Sequence, residues 1–218
     1  MRPVLAVGWD VGGWHGSKQS VAVALIEDDI LRWQGAPSLF SIAKLHQAGG
    51  SPTELIRLGW PEAPDDILDR YLVTIAIDAP LGFPQMFTRV LTSEDVPEIG
   101  ESTFYENPLA FRETDRWVYR TFGKRPLSAP FDKLGNNAIT AITQARKWSQ
   151  AQGFQIAPQH GPGPANRTII EVYPALVKRA DTADRRCYER FGQLLPADLS
   201  PGTDQYDAAI CAVMAASY

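Results

Sequence analysis

Cysteine is nearly missing from this chain. Cys187 and Cys211 are the only two in 218 residues, too few for a disulfide scaffold or a cysteine zinc site. A reducing cytoplasm is therefore the expected compartment. Long apolar runs are missing as well. None approaches the roughly 20 residues needed to cross a bilayer, and the opening residues lack the basic-then-apolar pattern of a signal peptide, so no membrane partner is expected. Positive charge is in deficit, with 21 Lys+Arg against 25 Asp+Glu and a formal net charge of -4. That balance excludes a protein that grips nucleic acid by bulk positive charge, and any polyanion contact must be local. Histidine is scarce too: His46 and His160 have no motif around them, and His15 reads as an exposed residue of a glycine loop. There is no internal repeat, no low-complexity tract and no signal for oligomeric state.

What is present is ordinary for a globular protein: 44% hydrophobic and 21% charged residues. The length predicts a single domain over residues 1–218 with an insertion at about 85–165. Val4–Asp10 and Ser20–Ile26 are apolar runs joined by Gly12-Gly13-Trp14-His15-Gly16, which predicts an antiparallel hairpin. Ile30–Trp33 reads as a third strand. Ser38–Gln47 and Thr53–Leu58 carry apolar residues at helical spacing, and Ile67–Tyr71 reads as a helical turn. Leu72–Ile77 returns to strand character, ends at Asp78, and is stopped by Ala79-Pro80-Leu81-Gly82-Phe83-Pro84. Leu109–Phe122 and Leu134–Gln152 are predicted helices of the insertion, and Gly161-Pro162-Gly163-Pro164 a rigid turn. Thr168–Val172 is the last strand. Ala175–Ala180, Asp184–Phe191 and Thr203–Tyr218 read as helices, the last capped by Thr203 or Asp204. The order predicts an α/β chain around a mixed sheet, its antiparallel part first.

The acids sit at element ends. Asp10 ends the first strand, Asp78 ends the strand after the helical block, Glu171 lies in the last strand, and Asp204 and Asp207 open the last helix. A carboxylate in a buried apolar strand needs a cation to offset its desolvation. Several converging at one sheet edge repel, and a divalent cation resolves the repulsion. Oxygen-only ligands favour Mg²⁺ or Mn²⁺ over zinc. Each acid also has a plainer reading: a turn for Asp10 and Asp78, an arginine partner such as Arg167 for Glu171, an N-cap for Asp204, and the helix dipole for Asp207.

The Gly8-Trp9-Asp10 opening, Ile75-Ala76-Ile77-Asp78-Ala79-Pro80-Leu81-Gly82-Phe83-Pro84, Ile170-Glu171-Val172-Tyr173-Pro174-Ala175 and Asp204-Gln205-Tyr206-Asp207-Ala208-Ala209 together resemble the family catalogued as domain of unknown function 429. That family is described as predicted nucleases with a ribonuclease H-like fold. The resemblance spans nearly the whole chain. It implies a mixed five-stranded sheet flanked by helices, with a largely helical insertion before the last strand. It further implies metal ligation by Asp10, Asp78, Asp204 and Asp207, and catalysis by Asp10, Asp78, Glu171 and Asp207. In such a site two ions roughly 4 Å apart activate water and stabilise the leaving oxygen of a phosphodiester.

A nucleic acid or other phosphoester substrate needs local cations. Arg112, Arg116 and Arg120 follow four-residue spacing and, with Lys124 and Arg125, form the basic cluster of the insertion. Trp117, Tyr119, Phe104 and Tyr105 stand nearby, either to stack bases or to pack in a core. Two rival functions come from other classes. A small-molecule phosphotransferase of the actin and sugar-kinase superfold shares a strand-one aspartate and glycine hairpin, but it uses two duplicated lobes, and no Walker-type loop occurs here. A non-catalytic ribonuclease H-like binding protein would keep the fold without binding metal.

Overall fold

The computed structural model of the chain describes residues 2–14, 18–93, 98, 103–132, 134–158, 166–177 and 185–218, with the backbone alone at 185–189. His15, His160, the turn at 161–164, the end of the helix predicted at 175–180, Asp184 and the Cys187 side chain lie outside what is described.

The first half of the chain forms β1 (Val4–Asp10), β2 (Gln19–Glu27), β3 (Ile30–Trp33), β4 (Ser38–Phe40), α1 (Ile42–Gln47), α2 (Pro52–Gly59), α3 (Ile67–Arg70) and β5 (Leu72–Asp78). Between β5 and the next long strand come α4 (Gln85–Thr92), a 3-10 turn at Phe104–Glu106, α5 (Glu113–Phe122), α6 (Leu134–Gln152) and the short β6 (Gln155–Ile156). The chain then runs through β7 (Arg167–Glu171), α7 (Pro174–Val177), α8 (Arg185–Leu194) and α9 (Asp204–Ala216).

These strands make one seven-stranded mixed sheet in the order β3-β2-β1-β5-β7-β6, with β4 also paired to β2. β1, β2 and β3 pair antiparallel, whereas β1–β5, β5–β7 and β6–β7 are parallel. The expected mixed α/β architecture is present, but the sheet has seven strands rather than five. The two additions are short edge pieces. Ser38–Phe40, read in the sequence as the start of a helix, instead pairs with Gln19–Val21. Ser41 then caps α1 by accepting the Lys44 N–H at 3.2 Å, so the helix begins at Ile42. Gln155–Ile156 pairs with β7, and two residues are too few to give any periodic signal.

The two faces of the sheet are built differently. Leu5, Val7, Trp9, Ile75, Ile77 and Ile169 bury large side chains with α2 and with Trp148 of α6. Trp9 meets Trp148 at a centroid distance of 5.6 Å. The alternate residues are small: Ala6 and Ala76 pack with Ile170 against Cys211 and Ala215 of α9, and Ala22 packs with Ala208, Ala209 and Ala212. At Gly8 the helix comes so near that an added Cβ would lie 2.0 Å from the Ala208 carbonyl oxygen and 2.3 Å from the Ala212 nitrogen. The small-residue face read in the C-terminal helix is thus the one laid on the sheet. No helix among the described residues is long and apolar enough to cross a membrane.

Candidate metal centre

Parallel pairing of β1 with β5 puts Asp10 and Asp78 directly opposite each other at the ends of their strands. Strand alternation assigns both to the face that carries Ala6, Gly8 and Ala76, the face covered by α9. α9 starts at a defined point, because Thr203 accepts the Tyr206 N–H at 3.2 Å and so acts as the N-cap. Asp207 lies in the first turn, one residue before the Ala208 carbonyl that rests on Gly8. Close docking of this helix therefore carries Asp207 over the strand ends. Carboxylate oxygens of Asp10, Asp78 and Asp207 all lie within 4.8 Å of one another, and each side chain is half-buried.

Oxygens bound to one hexacoordinate ion at about 2.1 Å sit about 3–4 Å apart. The three carboxylates need only small side-chain adjustments to reach that spacing, and as hard oxygen donors they suit a hard divalent cation.

Asp204 stays outside this group. A step of three residues moves it about 4.5 Å toward the helix start and about 60° around the axis.

Glu171 is on the other side of the strand alternation. It pairs in register with Ile77, whose side chain faces the large-residue core, whereas Ile170 faces α9. Its cation is Arg112 rather than Arg167. Arg112 donates to both Glu171 oxygens at 2.6 Å, and to Asp115 Oδ1 and Oδ2 at 2.8 and 2.9 Å. Arg167 instead pairs with Asp69 at 2.6 Å and the Gln152 carbonyl at 2.8 Å. Glu171 also accepts the Leu81 N–H at 2.9 Å, which fixes the Pro-Leu-Gly turn that follows Asp78. The Asp115 side chain is only 2% exposed. It receives the Tyr173 hydroxyl at 2.9 Å and the Arg112 backbone N–H at 2.9 Å. Burial and the neighbouring Asp115 carboxylate push the Tyr173 hydroxyl well above the ordinary tyrosine range. Burial works against the Arg112 charge, but the hydrogen bonds it donates to Glu171 and Asp115 outweigh it and hold the guanidinium charged.

The basic cluster of the insertion is largely neutralised. Arg112 ends as the N-cap of α5 between two acids. Arg116 pairs with Glu113 at 2.5 Å, and Arg120 pairs with Glu106 and, at 3.4 Å, with Glu113. Lys124 lies half-buried just past the left-handed Gly123 that ends α5. The aromatics nearby mostly meet one another: Tyr105 lies 4.5 Å from Tyr119, Phe104 is 5.7 Å from Phe111, and Trp117 is 5.5 Å from Phe122. Phe104 and Trp117 still keep exposed faces.

Two supports of the site carry no motif in the sequence. Gln19, fully buried, accepts the Trp9 indole N–H at 3.1 Å and the Gly12 N–H at 3.2 Å, and donates to the Gly13 carbonyl at 2.8 Å. Asn136 and Asn137 at the start of α6 then hold the same loop, through the Trp14 N–H at 2.8 Å and the Val11 carbonyl at 2.5 Å. Together they hold residues 11–14, by which the chain leaves Asp10. A lone glutamine opening an apolar strand beside a glycine turn is the one signal that points to this role.

A family model described as protein of unknown function (DUF429) matches residues 10–218. No curated protein and no solved structure matches the chain.

Proposed function

The chain belongs to the family described as protein of unknown function (DUF429), and we propose that it is a divalent-metal-dependent hydrolase of phosphodiesters, a nuclease built on a ribonuclease H-like fold. The observation that carries this reading is the meeting of Asp10, Asp78 and Asp207 at one end of the sheet. The strand arrangement supports the fold part. Three antiparallel strands open the chain, β5 and β7 follow parallel to β1, and the acids come from two adjacent central strands and the last helix.

Asp10 and Asp78 stand on paired strands, while Asp207 is set by the helix dock at Gly8. The three would hold Mg²⁺ or Mn²⁺, which would supply Lewis-acid stabilisation of phosphoryl charge and activation of water. The protein's own contribution is to position these oxygens, with Gln19 bonded to Gly13 after β1 and Glu171 to Leu81 after β5. No histidine is needed for that work.

The test is a cleavage screen over DNA, RNA, hybrid and junction substrates with Mg²⁺ or Mn²⁺, run on wild type and Asp10→Asn. Wild type is expected to cleave at least one substrate, and the variant to lose about 100-fold or more, beyond the loss typical of an outer-shell partner. Full metal-dependent activity in the variant would show that the site lies elsewhere.

A further inference from the structure

Beside the acidic triad the surface opens into a cleft of about 1100 Å³. This is slightly above the range of about 300–1,000 Å³ for sites that hold drug-sized ligands. Its walls come from the ends of β7 and α9, from α4 and from the residues leading into α5. Phe83, Met86, Tyr173 and Met214 are its half-buried apolar and aromatic walls, and its polar lining comes from Gln85, Arg89 and Thr114 and from the ion-paired Arg112, Glu113, Arg116 and Glu171. No ion pair of Arg89 occurs among the described residues, in contrast to the paired arginines of α5.

The cleft lies next to the strand ends that carry the acids, although none of the three lines it. Val172, which lines it and packs on the face covered by α9, donates its N–H to the carbonyl of Ile77, the residue before Asp78. Leu81, three residues after Asp78, lines it too.

We propose that this cleft seats an unpaired nucleotide unit, as a single nucleotide or as the end of a single strand, whose phosphate projects toward Asp10, Asp78 and Asp207. The inference rests on the phosphodiester reading above and names its substrate class. Flat aromatic and thioether walls suit the face of a base, which stacks on such side chains whatever its identity. The polar rim suits the base edges, and Arg89 suits the phosphate. The volume takes one or two nucleotide units. A long polyanion would need a track of unpaired cations, and α5 offers ion pairs instead.

The experiment is calorimetric titration in EDTA with thymidine monophosphate, pentathymidylate, a blunt duplex, and the same duplex carrying a single-stranded overhang. Pentathymidylate and the overhang duplex are expected to bind tighter than the blunt duplex. Equal binding of thymidine monophosphate and pentathymidylate assigns the seat to a single nucleotide; tighter binding of pentathymidylate assigns it to a strand end. Phe83→Ala, which removes a half-buried aromatic wall of the cleft, should weaken either by about ten-fold, the equivalent of one lost base stack. Its far-ultraviolet circular dichroism should be unchanged. Arg89→Glu should weaken binding of the same probes independently of any packing change.

Equal affinity for the blunt duplex, or binding that neither variant alters, overturns the proposal. Mn²⁺ titration of wild type and Asp10→Asn separates the two readings. If pentathymidylate binds and the variants weaken it while Mn²⁺ does not bind, the cleft stands and the hydrolase reading falls. If Mn²⁺ binds through Asp10 and the nucleotides do not bind, the cleft alone falls.

Discussion

Arg112 shows how one side chain can settle the roles of several others. It sits 13% exposed between Glu171 and Asp115 and donates to both oxygens of each. Glu171, expected among the catalytic carboxylates, is held by this ion pair and accepts the Leu81 amide. Tyr173 completes the cluster from the far side of Asp115. Its hydroxyl is held protonated by burial and by that carboxylate, and this has a consequence for stability. A folded-state pKa raised above the unfolded value of about 10 gives a contribution that is complete below pH 10 and lost as pH rises. Urea unfolding of wild type and Tyr173→Phe between pH 9 and pH 11 should show this. The stability difference in favour of wild type should shrink by about 1.4 kcal/mol per pH unit above pH 10. A difference that stays constant over that range would mean that the hydroxyl is not held in this way.

At the scale of elements, the site depends on how closely α9 approaches β1. Gly8 permits the approach, because a methyl there would lie 2.0 Å from a backbone carbonyl that cannot swing aside. Gly8→Ala must lift or tilt the helix, and overpacking of this kind costs about 1–3 kcal/mol. The same movement withdraws Asp207 from Asp10 and Asp78, so Mn²⁺ affinity should fall by about ten-fold, as when support of a metal ligand is lost. Gly192→Ala, inside α8 and with no atom within 4 Å of the new methyl, should leave the affinity unchanged and raise stability slightly, by about 0.5–1 kcal/mol, as alanine does over glycine in a helix. Much of this level was readable beforehand. The spans of β1, β5, α6 and α9, the acids at the strand ends and the small face of the last helix all follow from runs, breakers and spacing. What was not readable has physical causes. Thr168, Ile169 and Ile170 are all buried, so β7 has no polar alternation from which to tell that Glu171 points away from α9. β4 and β6 are too short for a pattern. The partner of Glu171 lies 59 residues away in α5, and a choice between Arg112 and Arg167 needs the tertiary packing.

The whole molecule carries a net charge of -4, and its folding gathers three carboxylates within 4.8 Å of one another. The unfolded chain holds them far apart, since they lie in β1, β5 and α9. Folding therefore works against their mutual repulsion, and a cation that binds only the folded arrangement must stabilise the whole domain by mass action. With Mn²⁺ at one hundred times its dissociation constant the gain is about 2.7 kcal/mol. For a domain of this size that corresponds to a rise in Tm of about 5–10 °C. Thermal unfolding followed by circular dichroism, in EDTA and in rising Mn²⁺, should show the shift in wild type and its loss in Asp10→Asn. Asp204→Asn, outside the cluster, should keep it. A shift of equal size in wild type and Asp10→Asn would place the stabilising ion elsewhere, and a loss in Asp204→Asn would bring that residue into the coordination shell.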